Sequence, residues 1–248
     1  MPSALITGGS SGIGLAIASG LRDDGYELTL VARRPEPLEE AAAQLQALAV
    51  PANLGDADEC VRVVAAHAER YGGMDVLVNS AGIGVGGAFA EQETKKIALQ
   101  LDVNLRATLV ITRESLQHLR VSRGQVITLA SIAGTIPTPG LAVYGATKAA
   151  LIAWTTSLQA GWRTLSCRPP QNRAHLLCRG WSICMVESWT RCVRCSAREI
   201  CSVALISSQI LTYESTSPST LPPPVASTNY SAMPYFLSTP APPNFCAF

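Results

Sequence analysis

Ser3-Ala-Leu-Ile-Thr-Gly-Gly-Ser-Ser-Gly-Ile-Gly14 decides the fold of this chain. Its first five residues form a short apolar run of the kind a buried strand needs, and glycines follow at once at positions 8, 9, 12 and 14. Beyond them Ile13, Ala16, Ile17 and Leu21 recur at helical spacing until Gly25. A strand, a tight turn and a helix are therefore compressed into about twenty residues. Glycine tolerates the positive backbone angles of such a turn. It also lets N–H groups at the positive helix end approach an anion such as a pyrophosphate.

Working outward, the pattern repeats. Glu27–Ala32 reads as a second strand, 37–48 as a helix, 48–50 as a short strand and 57–70 as a helix. Asp75–Asn79 is an apolar strand, 94–119 a long helix, Gln125–Ala130 a strand and 144–158 a helix. Strands alternating with helices at these lengths imply right-handed crossovers and a parallel sheet covered on both faces. The expected fold class is α/β, a Rossmann-type doubly wound parallel sheet, with the last strands and lid missing or irregular. No internal repeat is visible.

Three motifs share this register: Thr7-Gly-Gly-Ser-Ser-Gly-Ile-Gly14, Asn79-Ser-Ala-Gly82, and Tyr144-Gly-Ala-Thr-Lys148 with Ser131 thirteen residues ahead. Together they resemble the short-chain dehydrogenase/reductase family over residues 3–158. The resemblance implies an oxidoreductase that moves a hydride between a nicotinamide cofactor and a carbonyl or alcohol. It places Thr7, Gly8, Ser10, Ser11, Gly12, Ile13 and Gly14 around the cofactor's phosphates. Asn53, Leu54, Asn79, Ala81 and Gly82 would lie along its adenosine side, with Asn53 accepting from the adenine amino group through its amide oxygen. The family usually has aspartate at position 53 and Asn-Asn-Ala-Gly where this chain has Asn-Ser-Ala-Gly.

Cofactor choice is read after the second strand. An acidic residue there would accept from a ribose 2′-hydroxyl. This chain has Arg33 and Arg34 instead, and a guanidinium suits a 2′-phosphate, which favours NADP(H) over NAD(H).

Tyr144 and Lys148 are four residues apart and share one helix face. The resemblance makes Tyr144 the general acid/base, Ser131 a hydrogen-bond donor to the substrate oxygen, and Lys148 the holder of the nicotinamide ribose. A free phenol titrates near 10, too high for neutral pH, and a neighbouring ammonium favours its ionised form. Asn104, in Asp102-Val-Asn-Leu105, would link Lys148 to solvent through water. Cofactor binding without turnover, and a product with no function, are the alternatives. Family members often form homo-oligomers through the two long helices.

The whole chain has 248 residues, 48% of them hydrophobic, and a net charge of +1. That balance gives no reason to expect nucleic acid or an anionic membrane as partner. A strand begins within three residues, so no signal peptide is expected, and Ser202–Tyr213 is too short and serine-rich to span a bilayer. A soluble cytoplasmic protein with a small-molecule substrate is the expectation.

Near Gly161 the chain changes character. The expected organisation is a nucleotide-binding domain over 1–160 and an irregular tail over 161–248, Cys/Arg-rich and then Pro/Ser-rich. Seven of the eight cysteines lie in the tail, and half of the sixteen prolines fall between Pro218 and Pro243. Such composition disfavours a packed core. A complete family member continues into a sixth strand ending in Pro-Gly, a substrate-covering loop and helix, and a seventh strand; no Pro-Gly occurs after residue 161.

The tail has three readings: a divergent native segment, a metal site, or a segment translated out of frame. Cys192-Val-Arg-Cys195 has ligand spacing, but no second pair follows and His175 is the tail's one histidine, so no metal is expected. For Cys178-Arg-Gly-Trp-Ser-Ile-Cys184, codons built from the third base of one residue and the first two of the next permit Pro-Gly-Val-Val-Asp-Met. That matches the missing family motif.

Overall fold

The computed structural model describes residues 1–166 and 202–207. Six parallel strands run in the order β3-β2-β1-β4-β5-β6: β1 Ser3–Thr7, β2 Glu27–Ala32, β3 Leu48–Pro51, β4 Val76–Asn79, β5 Gln125–Ser131 and β6 Ser202–Ser207. The helices are α1 Gly12–Asp23, α2 Pro35–Leu45, α3 Ala57–Tyr71, α4 Thr94–Leu101, α5 Ala107–Ser122 and α6 Ala142–Ser166. The chain divides into residues 1–209 and 210–248, the second unit lying outside the described residues.

β1 explains the layering. All five of its residues are buried, and they alternate between two cores. Ala4 and Ile6 join Ile17, Leu21, Leu30 and Leu38 beneath α1 and α2. Leu5 faces the other way, with Val31, Val63, Leu77, Ile111 and Leu119 beneath α3 and α5. Each fully buried leucine or isoleucine contributes about 2 kcal/mol, and a strand buried on both faces collects from both layers.

The sheet turns on β1. From it the chain winds outward to β2 and β3, then returns to build β4 and β5 on the opposite side. The strand order reverses between β1 and β4, and the C-terminal ends of strands at such a reversal are where open α/β sheets hold ligands in a crevice.

A buried histidine ties α3 to β1 and β2 beneath the sheet. His67 of α3 is fully buried, with Nδ1 at 2.8 Å from Thr29 Oγ1 and Nε2 at 3.3 Å from Ser3 Oγ. Since the Ser3 hydroxyl donates to Gly73 O at 3.1 Å, it accepts from Nε2–H, and Nδ1 accepts from Thr29. Burial above all holds this imidazole well below its usual range, at about 4.

Most expected elements lie within two residues of their predicted bounds. Two differ in substance. The expected single helix over 94–119 is interrupted at Asp102–Arg106 by one π-helical turn, in which Ala107 N–H reaches back to Asp102 O. A sixth strand at 202–207 pairs in parallel with β5 along six residues, Val126 opposite Ser202 through Ser131 opposite Ser207. The sequence reading marks no strand there. The helix expected to end at 158 also runs on to Ser166. His175, Cys192, Cys195 and the rest of the tail, with its expected irregular order, lie outside the described residues.

Candidate active site at the ends of β1, β4 and β5

The glycine turn comes first. Gly8 has φ +68° and Gly12 φ +55°, angles that L side chains rarely adopt. Gly14 is required by space: a Cβ there would stand 2.3 Å from Gly8 O. Gly8 and Gly9 N–H both donate to Val31 O, at 2.8 and 3.2 Å, fastening the turn to β2. Thr7 Oγ1 accepts from Ser80 N–H at 3.0 Å and Ala81 N–H at 3.1 Å, and donates to Val78 O. One hydroxyl thus fixes the crossing of the two central chain segments.

The start of α1 contrasts with that of α3. Asp56 caps α3 by accepting from Asp58 N–H at 2.9 Å, whereas Ser11 makes no side-chain cap on α1. The first N–H groups of α1 therefore remain available to an anion. Ser11 and Gly12 are exposed, Ser10 and Ile13 half-buried. Among the described residues no side chain fills the space around Gly12. These residues fit a dinucleotide's pyrophosphate.

At the far side of the crevice, α6 carries Tyr144 and Lys148. Lys148 is 4% exposed, and its ammonium donates to Leu129 O at 2.7 Å. Burial lowers its pKa to about 8. Nζ lies 5.7 Å from the centre of the half-buried Tyr144 ring. Ser131 ends β5, buried, and its Oγ accepts from Ala133 N–H at 3.3 Å, opening a short 3₁₀ turn at Ile132–Gly134. That turn abuts α6: a Cβ on Gly134 would meet Lys148 C at 2.7 Å, and one on Gly145 would meet Ala133 O at 2.7 Å. This contact sets the turn that follows Ser131 against α6.

Asn104 sits within the π turn and is fully buried. The extra residue of such a turn redirects a side chain out of the helical register, a device common at functional sites. Asn104 Oδ1 accepts from Ile83 N–H at 2.8 Å. Its Nδ2 donates to Ile83 O at 2.9 Å and to Thr147 Oγ1 at 3.1 Å. Thr147 in turn donates to Tyr144 O at 2.7 Å. A Cβ on Gly82 would stand 3.4 Å from Asn104 Oδ1 and 3.6 Å from Lys148 Nζ, so the bare backbone lets these groups approach.

The structure thus gathers Thr7, Gly8, Gly12, Gly14, Ala81, Gly82, Asn104, Ser131, Tyr144 and Lys148 at one edge of the sheet. Arg33 and Arg34 lie apart, exposed where β2 leads into α2, with no hydrogen bond or ion pair to the described residues. Asn79 turns its amide inward, donating to Thr112 Oγ1 at 3.0 Å and Thr128 Oγ1 at 3.5 Å. Its side chain ties β4 to α5 and β5. Asn53 is exposed, and its Oδ1 accepts from Gly55 N–H at 3.2 Å, while Leu54 is buried. Thr147, Gly134 and Gly145 were not foreseen; glycine inside a helix is the one signal that marks Gly145.

Among the described residues no helix is long and apolar enough to cross a membrane, and no His/Cys/Asp/Glu cluster could hold a metal.

Comparison with known proteins agrees with this geometry. The profile of the short chain dehydrogenase family matches residues 2–167. An uncharacterized oxidoreductase of Staphylococcus epidermidis is 39% identical over 162 residues, covering 63% of this chain and 69% of that protein. A 3-oxoacyl-[acyl-carrier-protein] reductase of Staphylococcus aureus is 35% identical, covering 62% and 66%. Among solved structures, a short chain dehydrogenase from Burkholderia cenocepacia in complex with NADP superposes with TM-score 0.63 at 34% identity, over 66% of this chain and 69% of that one. Actinorhodin polyketide ketoreductase with NADPH gives TM-score 0.62 at 32% identity, over 64% of each chain. The chain belongs to the short-chain dehydrogenase family, oxidoreductases that act on CH–OH and C=O groups.

Proposed function

We propose that this chain is an NADP(H)-dependent oxidoreductase interconverting a small-molecule carbonyl and its secondary alcohol, with Tyr144 as general acid/base. The observation that carries the proposal is the buried Lys148 ammonium 5.7 Å from the Tyr144 ring, on the helix that also contacts the turn after Ser131.

The nicotinamide, when bound, supplies or accepts the hydride. The chain's own residues do the rest. The α1 N-terminus and the turn Thr7–Gly14 hold the pyrophosphate, with Ser10, Ser11 and Ile13 around it. Arg33 and Arg34 receive the 2′-phosphate; their exposure and lack of partners among the described residues leave both guanidiniums available, and the neighbours bound to NADP and NADPH support this preference. Asn53, Leu54, Ala81 and Gly82 line the adenosine side, with Asn79 bracing β4 behind them.

In the reducing direction Ser131 donates to the carbonyl oxygen and Tyr144 gives it a proton. Lys148 stabilises the phenolate left behind and holds the ribose. Asn104 anchors this end of α6 through Thr147, and its proposed role is to connect Lys148 to solvent. The chain acts in the cytoplasm and, as in its family, as a homo-oligomer.

Separate titrations with NADPH and NADH, followed by a screen of carbonyl substrates, test the reading. Tight NADPH binding with substrate-dependent oxidation is expected, and Tyr144→Phe should abolish turnover while sparing cofactor binding. Unchanged turnover in that variant ends the catalytic assignment.

A second reading is favoured by one observation: the family match stops at residue 167, where the composition changes. In this reading the tail is out of frame, and the chain binds NADP(H) without turnover. Translating the neighbouring frames across codons 150–200 decides it. A Pro-Gly motif followed by an open reading frame supports the disruption, and stop codons or no such motif refute it.

A further inference from the structure

The segment after β4 reads Gly82-Ile-Gly-Val-Gly-Gly87, four glycines in six residues, and belongs to no strand. Unsupported, such a sequence would sample many conformations. Its main chain is instead held by amide side chains. Asn104 takes both the N–H and the carbonyl of Ile83. Two residues on, Val85 N–H donates to Gln100 Oε1 at 3.0 Å, and Val85 O accepts from Gln92 Nε2 at 3.3 Å. Gln100 and Asn104 are four residues apart, where α4 enters the π turn, so both reach toward the same stretch of main chain.

The glycines between these anchors face the site. The Cβ positions of Gly82, Gly84 and Gly86 lie 3.6 Å from Lys148 Nζ, 3.6 Å from Tyr144 Cδ2 and 3.8 Å from Leu141 Cδ2. The odd residues are gripped by Asn104, Gln100 and Gln92, while Gly82 and Gly84 approach Lys148 and Tyr144 of α6 and Gly86 approaches Gly140 and Leu141 just ahead of it. The three amides act in place of a missing strand.

We propose that Gln100 is a positioning residue of the active site, fixing the main chain at Val85 so that Gly84 forms the wall against which the Tyr144 ring rests. Its side chain is fully buried and its Nε2 donates to Lys96 O at 3.4 Å. An apolar side chain would fill that volume without burying an amide, but would leave Val85 N–H without its acceptor. The proposal rests on Tyr144 being the proton donor, whose transfer geometry tolerates little displacement.

The test uses the full chain and two variants, Gln100→Met and Gln100→Glu. Methionine keeps the length and loses the acceptor; glutamate, neutral when buried, keeps an acceptor for Val85 N–H and a donor for Lys96 O. Hydrogen exchange should show the Val85 amide about tenfold or more faster in Gln100→Met and near wild type in Gln100→Glu. With NADPH and a carbonyl found in the substrate screen, kcat should fall about tenfold in Gln100→Met with KM for NADPH within about twofold, and recover largely in Gln100→Glu. Wild-type Val85 protection in Gln100→Met, an unchanged kcat, or equal impairment of both variants overturns the proposal. A wild-type chain without turnover on any carbonyl refutes the reductase reading instead, and the exchange rates at Val85 then decide whether Gln100 fixes the loop.

Discussion

Acid should loosen this fold through His67, and the size of the effect follows from its surroundings. The imidazole is fully buried between Thr29 of β2 and Ser3 of β1, and burial holds its pKa at about 4 against 6.5 in an open chain. The folded state therefore resists a proton that the unfolded state accepts. Stability from this source is fully present above pH 6.5, falls as the pH drops from 6.5 toward 4, and changes no further below that. At about 1.4 kcal/mol per pH unit the whole loss is about 3 kcal/mol, of which about 2 kcal/mol has gone by pH ~5. Urea unfolding followed by circular dichroism, on wild type and His67→Leu across this range, isolates the effect, because the surface carboxylates cancel in the difference. Near neutrality the variant should be weaker by about 1–3 kcal/mol, since Thr29 loses its partner. That gap should narrow by about 2 kcal/mol on acidification to pH ~5. A gap constant to within about 0.5 kcal/mol would refute the buried neutral histidine.

Gly14→Ala places a Cβ 2.3 Å from Gly8 O, with backbone on both sides of the clash, so the turn must open. NADPH affinity, measured by fluorescence titration, should fall about tenfold or more, equivalent to about 1.4 kcal/mol, and an unchanged Kd would remove the turn from the cofactor site. Lys148→Met should abolish turnover without lowering the urea midpoint at neutral pH. The lysine's folded pKa, about 8 against 10.5, means that below about pH 8 the buried ammonium costs stability, a cost relieved as the pH rises toward 10.5. Deleting the charge returns up to about 3 kcal/mol, offset by about 1 kcal/mol for the donor that Leu129 O loses. A midpoint well below wild type, or retained turnover, would contradict this account.

The relation of sequence to structure is clearest at the crevice. Local rules made the nucleotide-binding half legible: Ser3–Thr7 is apolar throughout because both faces of its strand are covered, and the glycines at 8, 12 and 14 stand where positive φ or a 2.3 Å approach admits nothing larger. Tyr144 and Lys148 share a helix face by spacing alone. Contacts between residues far apart in the chain were not legible. Nothing near Asn79 announces that its amide turns to Thr112 and Thr128. Whether a polar side chain serves a ligand or the fold depends on which donor the assembled structure brings within 3 Å.

The sequence by itself determined the alternation of strands and helices, the covered parallel sheet and the residue types at the crevice, because these rest on periodicity and on backbone angles that neighbours dictate. Tertiary structure alone decided the π turn that aims Asn104 at Ile83, the amide grip of Gln100 on the glycine segment, the neutral burial of His67, and the pairing of 202–207 with β5. Each of these joins groups separated by 15 to about 76 residues, at a distance along the chain where composition and period carry no information about partners.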